Sequence, residues 1–293
     1  MNRIFGTVVT LVWLLAMAAL IQRDVLPFWQ AQDPPGHAVP TGDFQVAIMN
    51  EAGQRVGTTW VQAFRKPNRT VYSTTRLDLG TVAKVLSTLG PMFLDSSLTY
   101  ADGGGLKEFL FQLRTAGLSA RVEGFLYGHE YACTATIGGM TRAIALNGEL
   151  SKYLGDSIRP FSHLEGLRVG QTWRIRLLDP LSLVRNQSLE FSTRLVTVRR
   201  RERIQHRGRA VSCFRIETEG AVAWADGTGR ILRQEVTIPF VGKLMLLDEP
   251  FDEAAYRRAK RAAHTLHPPG LPGDWTARRA AERVAPAREK ARR

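Results

Sequence analysis

The sequence contains little that would support chemistry at a metal or a reactive thiol. It has two cysteines in 293 residues, Cys133 and Cys213, and they do not form a pair with metal-ligand spacing. A cysteine-based zinc site is therefore excluded, and we predict no metal. Both cysteines fall within predicted strands. They could form one disulfide in an oxidising compartment, or remain two separate buried thiols.

Motifs of the common enzyme classes are also missing. The chain has no G-x-S-x-G elbow, no H-E-x-x-H, no P-loop and no G-x-G-x-x-G after a strand. A cysteine nucleophile needs an activating histidine, but His129 lies about 13 Å from Cys133 along a strand. The carboxylate pairs Asp248-Glu249 and Asp252-Glu253 lie near a helix start, where capping explains them. We expect no enzyme and no cofactor.

Acidic residues are the minority, and the formal net charge is +13. Residues 253–293 hold eleven Lys/Arg against four Asp/Glu, so this segment carries +7 and the rest of the chain +6. Arg outnumbers Lys by 33 to 7, as in proteins of GC-rich genomes. A nucleic-acid partner is therefore not expected. We interpret the basic cluster 199–203 as a solvated turn at a strand end, in preference to a site for lipid phosphates.

Residues 4–21 form an uncharged apolar run. Eighteen helical residues extend about 27 Å, marginally enough to cross a bilayer core. Ala16-Met17-Ala18 has the form of a signal-peptide cleavage site, but the apolar run continues past it, which favours an uncleaved signal anchor. We predict a transmembrane helix over 1–24, with the membrane as partner through 4–21. The following domain is expected on the extracytoplasmic, periplasmic side.

Composition divides the rest of the chain into four parts. Proline and glycine mark 25–42 as a linker, and 43–250 is predicted as a β-rich extracytoplasmic domain. Asp252 is a plausible N-cap for a helix over 251–266, with acidic residues first and basic residues later. Residues 267–293 read as a basic, disordered tail.

Alternating apolar and polar residues between turn signals recur throughout the β-rich part. The predicted strands are 44–48, 56–61, 70–77, 94–100, 106–114, 119–127, 130–137, 141–146, 173–177, 189–198 and 209–218. Residues 81–89 fit either a short helix or a strand. The connections are too short for parallel crossovers. The fold is therefore predicted as mainly β, with about a dozen strands in a curved antiparallel sheet, an open half-barrel or a sandwich.

The clearest single element is a hairpin over 220–236, GAVAWADGTGRILRQEV. Two β-prone segments flank a turn whose glycines supply positive φ angles. We predict that this hairpin is the last of the strands and closes the sheet. Its tryptophan, Trp224, is expected to pack on the core.

Three pieces of the sequence together resemble a known bacterial domain. They are 44–60 with its Gly53–Gly57 turn, GLRVGQTW at 166–173, and 223–235. The order is similar to the β-rich accessory domain found before bacterial transglutaminase-like catalytic domains, related to lipoprotein carriers and DUF3108. The resemblance implies a curved sheet. The Cys-His-Asp catalytic domain of that family is absent, so its activity is not expected here.

These observations predict a membrane-anchored, extracytoplasmic, non-catalytic binding or scaffold domain. A concave apolar sheet face could also take up an acyl chain, which would make the protein a lipid or lipoprotein carrier or acceptor. The expected partners are the membrane and either a lipid or another envelope protein. A cysteine-dependent enzyme, with Cys133 or Cys213 as nucleophile, is the third alternative.

Overall fold

The structure is a computed structural model of the full chain. It describes residues 2–22, 42–64, 69–78, 90–101, 106–117, 119–128, 130–147, 154–156, 159–161, 163–179, 190–238 and 242–265. Residues 25–41 of the predicted linker, the undecided segment 81–89 and the basic tail 267–293 lie outside the described residues.

The described residues form one fifteen-stranded sheet and two helices. The helices are α1 (Asn2–Leu20) and α2 (Glu253–Thr265). The strands are β1 (Gly42–Met49), β2 (Arg55–Phe64), β3 (Arg69–Asp78), β4 (Pro91–Tyr100), β5 (Leu106–Arg114), β6 (Ser119–Tyr127), β7 (Glu130–Ile137), β8 (Met140–Asn147), β9 (Leu154–Asp156), β10 (Thr172–Asp179), β11 (Glu190–His206), β12 (Arg209–Thr218), β13 (Ala221–Ala225), β14 (Ile231–Ile238) and β15 (Gly242–Glu249).

The sheet consists of two meanders joined in the middle. Its strand order is β8-β7-β6-β5-β4-β3-β2-β1-β15-β14-β13-β12-β11-β10-β9. Among the described strands, every pairing is antiparallel except the short one between β9 and β10. The two ends of this order, β8 and β9, do not pair, so the sheet is not closed. The prediction of a mainly β, antiparallel, open sheet is confirmed.

The two meanders share one core. Apolar side chains from both meanders belong to one continuous buried cluster, which includes Ile48, Leu113, Val122, Ile216, Val236 and Leu246. We call the sheet face that carries this cluster the inner face. Its apolar residues alternate along each strand with residues of the opposite, outer face.

Helix α2 covers part of the outer face. Tyr256, Ala259 and Ala263 pack against Trp60 of β2 and Phe93 of β4. The Trp60 and Tyr256 rings lie 6.5 Å apart between centroids. The helix follows β15 directly, so its docking also fixes the end of that strand.

Side chains form hydrogen bonds with backbone groups near both ends of α2. Asp252 Oδ1 accepts a hydrogen bond of 2.9 Å from the Ala255 backbone N–H, so the predicted N-cap forms. Near the other end, Arg114 Nη1 donates to the Ala263 carbonyl over 2.9 Å, and a second nitrogen of Arg114 pairs with Asp95. This arginine satisfies a carbonyl that the helix end would leave unpaired.

Strand β15 was not predicted, and the hairpin over 220–236 is therefore not the last element of the sheet. That hairpin forms β13 and β14, and β15 follows it and pairs with both β14 and β1. The segment GKLMLLDE contains no β-branched or aromatic residue, so its intrinsic strand signal is weak. Backbone hydrogen bonds to β14 and to β1 stabilise this strand in spite of its low intrinsic β-propensity.

The basic cluster 199–203 was wrongly predicted as a turn. Strand β11 runs through it as far as His206, with a register shift between Val198 and Arg200. Arg199 pairs with Glu217 at 2.9 Å and Arg200 with Glu202 at 2.8 Å. These carboxylates neutralise much of the cluster.

Helix α1 forms over the apolar run at the N-terminus. Its large apolar side chains from Val8 to Ile21 are exposed, for example Leu15 at 69% and Trp13 at 59%. Within the described ranges, however, no helix has both the length and the apolar character required to cross a membrane. The prediction of a transmembrane helix over 1–24 is therefore not supported by this finding.

Candidate functional site

The two cysteines lie in different hydrophobic clusters. Cys133 of β7 belongs to the inner-face core, and Cys213 of β12 belongs to a small outer-face cluster with Trp224 and Leu232. Both thiols are free and buried. This arrangement corresponds to two separate thiols and not to the alternative of a disulfide.

Burial makes both thiols poor nucleophiles. It raises the pKa of Cys133 to about 12. It also raises the pKa of Cys213 to about 11, with a further contribution from the carboxylates of Asp226 and Glu202. Since the thiolate is the reactive form, neither cysteine is activated. His129, which we considered as a partner for Cys133, lies outside the described residues.

The inner face is filled by a segment that enters from between β9 and β10. We call residues 159–161 and 163–167 the inserted segment. Three of its apolar side chains, Phe161, Leu164 and Leu167, are buried in the inner-face core. Gln234 of β14, itself buried, donates to the Phe161 carbonyl over 2.8 Å and accepts from the Phe161 N–H over 3.3 Å.

The inserted segment also contacts the β13–β14 turn closely. The Leu164 N–H donates to the Gly229 carbonyl over 2.9 Å, and His163 forms an isolated β-bridge with Arg230. Gly229 has φ +89°, and a Cβ built there would lie 2.0 Å from the Leu164 carbonyl oxygen. Only glycine allows this approach.

A few polar groups accompany the apolar residues of the inner face. Tyr131 donates a hydrogen bond to the Leu106 carbonyl. The Arg159 guanidinium lies 5.8 Å from the centre of the Phe44 ring. Burial raises the pKa of Tyr100 to about 12, with Arg159 opposing the shift and Tyr131 adding to it. The phenol of Tyr100 is therefore neutral at physiological pH.

At one end of the sheet, two turns converge on the carboxylate of Asp248 in β15. Arg230, after the β13–β14 turn, donates to Asp248 Oδ1 over 2.7 Å. Arg207, in the β11–β12 turn, donates to Oδ2 over 3.0 Å. His206 Nε2 lies 3.5 Å from the same oxygen. We call Asp248, Arg207, Arg230 and His206 the Asp248 cluster.

The Asp248 cluster corrects our interpretation of the Asp248-Glu249 pair. Neither residue caps α2, because Asp252 does. The Asp248 side chain is only 3% exposed and is neutralised by arginines from two turns. Glu249 pairs with Arg55 and accepts a hydrogen bond from Gln45. No sequence spacing could reveal the cluster, since its members come from three separate hairpin segments.

Trp224 packs on the outer face and not on the main core. Its indole N–H donates to Glu202 Oε1 over 2.5 Å, and this hydrogen bond lowers the pKa of the Glu202 carboxyl. Arg215 and Arg233 lie 5.6 and 5.0 Å from the centre of the ring system. The Trp224 ring therefore lies among charged side chains of the neighbouring strands, an arrangement that stabilises the sheet.

In the part of the chain that the structure describes, no group of three or more His, Cys, Asp or Glu side chains is arranged to hold a metal ion. The Asp248 cluster contains one carboxylate and one histidine, and its other two members are cations. The cluster is therefore a pair of arginine side chains held in place by one carboxylate.

The comparison with solved structures gives one match. The match is a crystal structure of a DUF1089 family protein from Pseudomonas aeruginosa, with 20% sequence identity over 59% of this chain and 87% of the other, at a TM-score of 0.37. No family model matches the chain. No curated protein matches it either. At this similarity the match carries no conclusion about function.

We predict that Gly229→Ala destabilises the protein strongly. The substitution places a side chain at a positive φ angle and against the Leu164 backbone, so the free energy of unfolding should fall by more than about 2 kcal/mol. The measurement is urea denaturation followed by tryptophan fluorescence. Gly227→Ala in the same turn is the control, because a Cβ there meets nothing within 4 Å. Equal losses in both variants would contradict the close approach.

We predict that stability falls in alkali partly because of the thiols. Since their folded pKa values are raised above the ordinary value of 9.0, their contribution is complete below about pH 9 and is lost as the pH rises toward 11 or 12. Between pH 8 and 10.5 the loss should be about 1–2 kcal/mol per thiol, measured by urea denaturation. Cys213→Ala should show a shallower decline. The same slope in the variant and the parent would rule out the thiol contribution.

Proposed function

We propose that this protein is a non-catalytic binding or scaffold domain held at a membrane by its N-terminal apolar segment, with the β domain on the extracytoplasmic side. The exposed apolar surface of α1 carries the proposal. The sheet leaves only scattered large apolar side chains exposed, such as Tyr72 and Met140, whereas the apolar residues from Val8 to Ile21 are exposed as one continuous run. An apolar surface of this extent is stable only against lipid or another apolar partner.

The uniform apolar character of α1 favours lipid over a protein groove. A helix that docks in a groove exposes a polar face on its other side. In α1, however, the consecutive residues Val12, Trp13, Leu14 and Leu15 are all more than half exposed and all apolar. A lipid phase surrounds a helix on all sides and therefore suits this pattern.

The chemistry of the described residues supports a protein that binds but does not catalyse. The two thiols are buried, and their raised pKa values keep them protonated. The Asp248 carboxylate is buried and ion-paired with Arg207 and Arg230. The resemblance to accessory domains of transglutaminase-like proteins stays a prediction that agrees with this proposal.

A lipid or lipoprotein carrier is the alternative. It would need space for an acyl chain on the inner face, where Phe161, Leu164 and Leu167 are buried. A ligand would have to displace the inserted segment together with its hydrogen bonds to Gln234. The scaffold needs no such displacement and is therefore the function we propose.

Membrane attachment through α1 can be tested by cell fractionation of the full chain. We expect the parent chain in the membrane pellet, resistant to high salt and to alkaline carbonate. The double variant Leu14→Asp/Leu15→Asp should shift to the supernatant, because two carboxylates oppose insertion into lipid. Immunoblots of the two fractions give the distribution.

The matched control is Tyr127→Asp, which adds a charge at a sheet residue that is 56% exposed. This variant should stay in the pellet. To test the side of the membrane, Met140→Cys introduces a thiol at a position that is 62% exposed, while the native thiols are buried. A membrane-impermeant maleimide should label it in spheroplasts. A soluble parent chain, or labelling only after lysis, would contradict the proposal.

A further inference from the structure

The Asp248 cluster has the construction of a site for an anionic group. Its carboxylate is buried and receives one hydrogen bond from each of two guanidinium groups. The arginine side chains themselves are 43% and 47% exposed. Each guanidinium has five N–H donors, so most of them remain directed away from Asp248. A buried carboxylate that orients two half-exposed arginines gives a rigid pair of cations facing solvent.

The charges within the cluster do not balance. One carboxylate faces Arg207 and Arg230, which leaves an excess of one positive charge with His206 neutral and two with His206 protonated. Two carboxylates lie on neighbouring residues: Glu165, 3.7 Å from His163, and Asp226, which accepts from the Arg230 backbone N–H over 3.1 Å. Among the described residues, neither is ion-paired with the guanidinium of Arg207 or Arg230. Elsewhere, arginines are paired with a carboxylate of their own: Arg199 with Glu217 and Arg233 with Glu235.

The backbone at Arg207 is a second, independent feature. Arg207 is the only non-glycine residue with positive φ in the described part of the chain, at +50°. It precedes Gly208 at φ +75° in a two-residue hairpin turn, where Asn or Gly is the ordinary choice at the first position. A residue that costs conformational energy at an exposed turn is a sign of function. Here the unfavourable backbone places the guanidinium over β15.

We propose that Arg207 and Arg230, oriented by Asp248 and assisted by His206, bind a phosphate group. A planar guanidinium group can donate two parallel hydrogen bonds to the oxygens of a phosphate. Because the two arginine side chains are about half exposed, a phosphate in solution can contact them. The phosphate can belong to a lipid headgroup or to a free phosphate ion. This inference goes beyond membrane attachment by α1, because it concerns a different part of the molecule.

The test uses the full chain purified in a neutral detergent. Isothermal titration calorimetry is performed with inorganic phosphate in one arm and with monomeric dihexanoyl phosphatidic acid in the other. Arg207→Gly removes the guanidinium but suits the positive φ angle, so this variant should keep or raise the melting temperature. It should weaken binding by about tenfold, the loss expected for one charge-assisted contact. Arg230→Gln should weaken it similarly.

The matched control is Arg257→Ala on α2, whose arginine is exposed and pairs only with Glu253 among the described residues. It should bind like the parent. Loss in the phosphatidic acid arm alone identifies a lipid headgroup as the ligand, and loss in both arms identifies a general phosphate site. Binding by Arg207→Gly and Arg230→Gln equal to that of the parent, or no binding of either probe by the parent, would overturn the proposal.

Discussion

The pairing of β15 with β1 is the interaction on which the rest of the structure depends. Five backbone positions align, from Gln45 opposite Glu249 to Met49 opposite Met245. Without this ladder the protein would be two separate meanders, each with an open edge strand and half of an inner face exposed. The ladder joins segments about two hundred residues apart, so a large loop-closure entropy opposes its formation. Burial of the shared core provides the compensating free energy.

Side chains strengthen the β1–β15 pairing at the end where Gln45 lies opposite Glu249. Gln45 Nε2 donates to Glu249 over 2.5 Å, and Gln45 Oε1 accepts from the Asp252 N–H over 3.0 Å. Arg55 of β2 pairs with the same glutamate. The Gln45 amide thus connects β1 to the start of α2, and the helix then packs over Trp60 of β2.

The Asp248 cluster lies next to the same β1–β15 pairing. Asp248 is one residue before Glu249 and points to the inner face, where the β11–β12 and β13–β14 turns reach it. The β11–β12 hairpin extends past β13, since β12 pairs with β11 as far as Arg209 but with β13 only from Phe214 onward, and Arg207 at its turn contacts Asp248. All four members of the cluster belong to the β10–β15 meander, where β14 pairs with β15, so the proposed phosphate site is assembled within that meander.

Local patterns in the sequence predicted most of the sheet. The bounds of β5, β6, β7 and β12 follow directly from alternation between turn residues. Strand β15 was missed because its stability comes from two neighbours. The run through Arg201 was misread because the strand that pairs with it, β12, lies later in the sequence. The Asp248 cluster and the inserted segment could not be predicted for the same reason. They depend on contacts between segments that lie far apart in the sequence, which no single strand encodes.

Native-state hydrogen exchange followed by mass spectrometry tests the β1–β15 joint most directly. If the two meanders form one cooperative unit, peptides covering β1, β15, β5 and β12 exchange together, at the rate of global unfolding and with the same denaturant dependence. Exchange of β1–β8 while β10–β15 stays protected, or the reverse, would contradict it. That result would mean that the meanders fold separately and that the joint is only a contact between them.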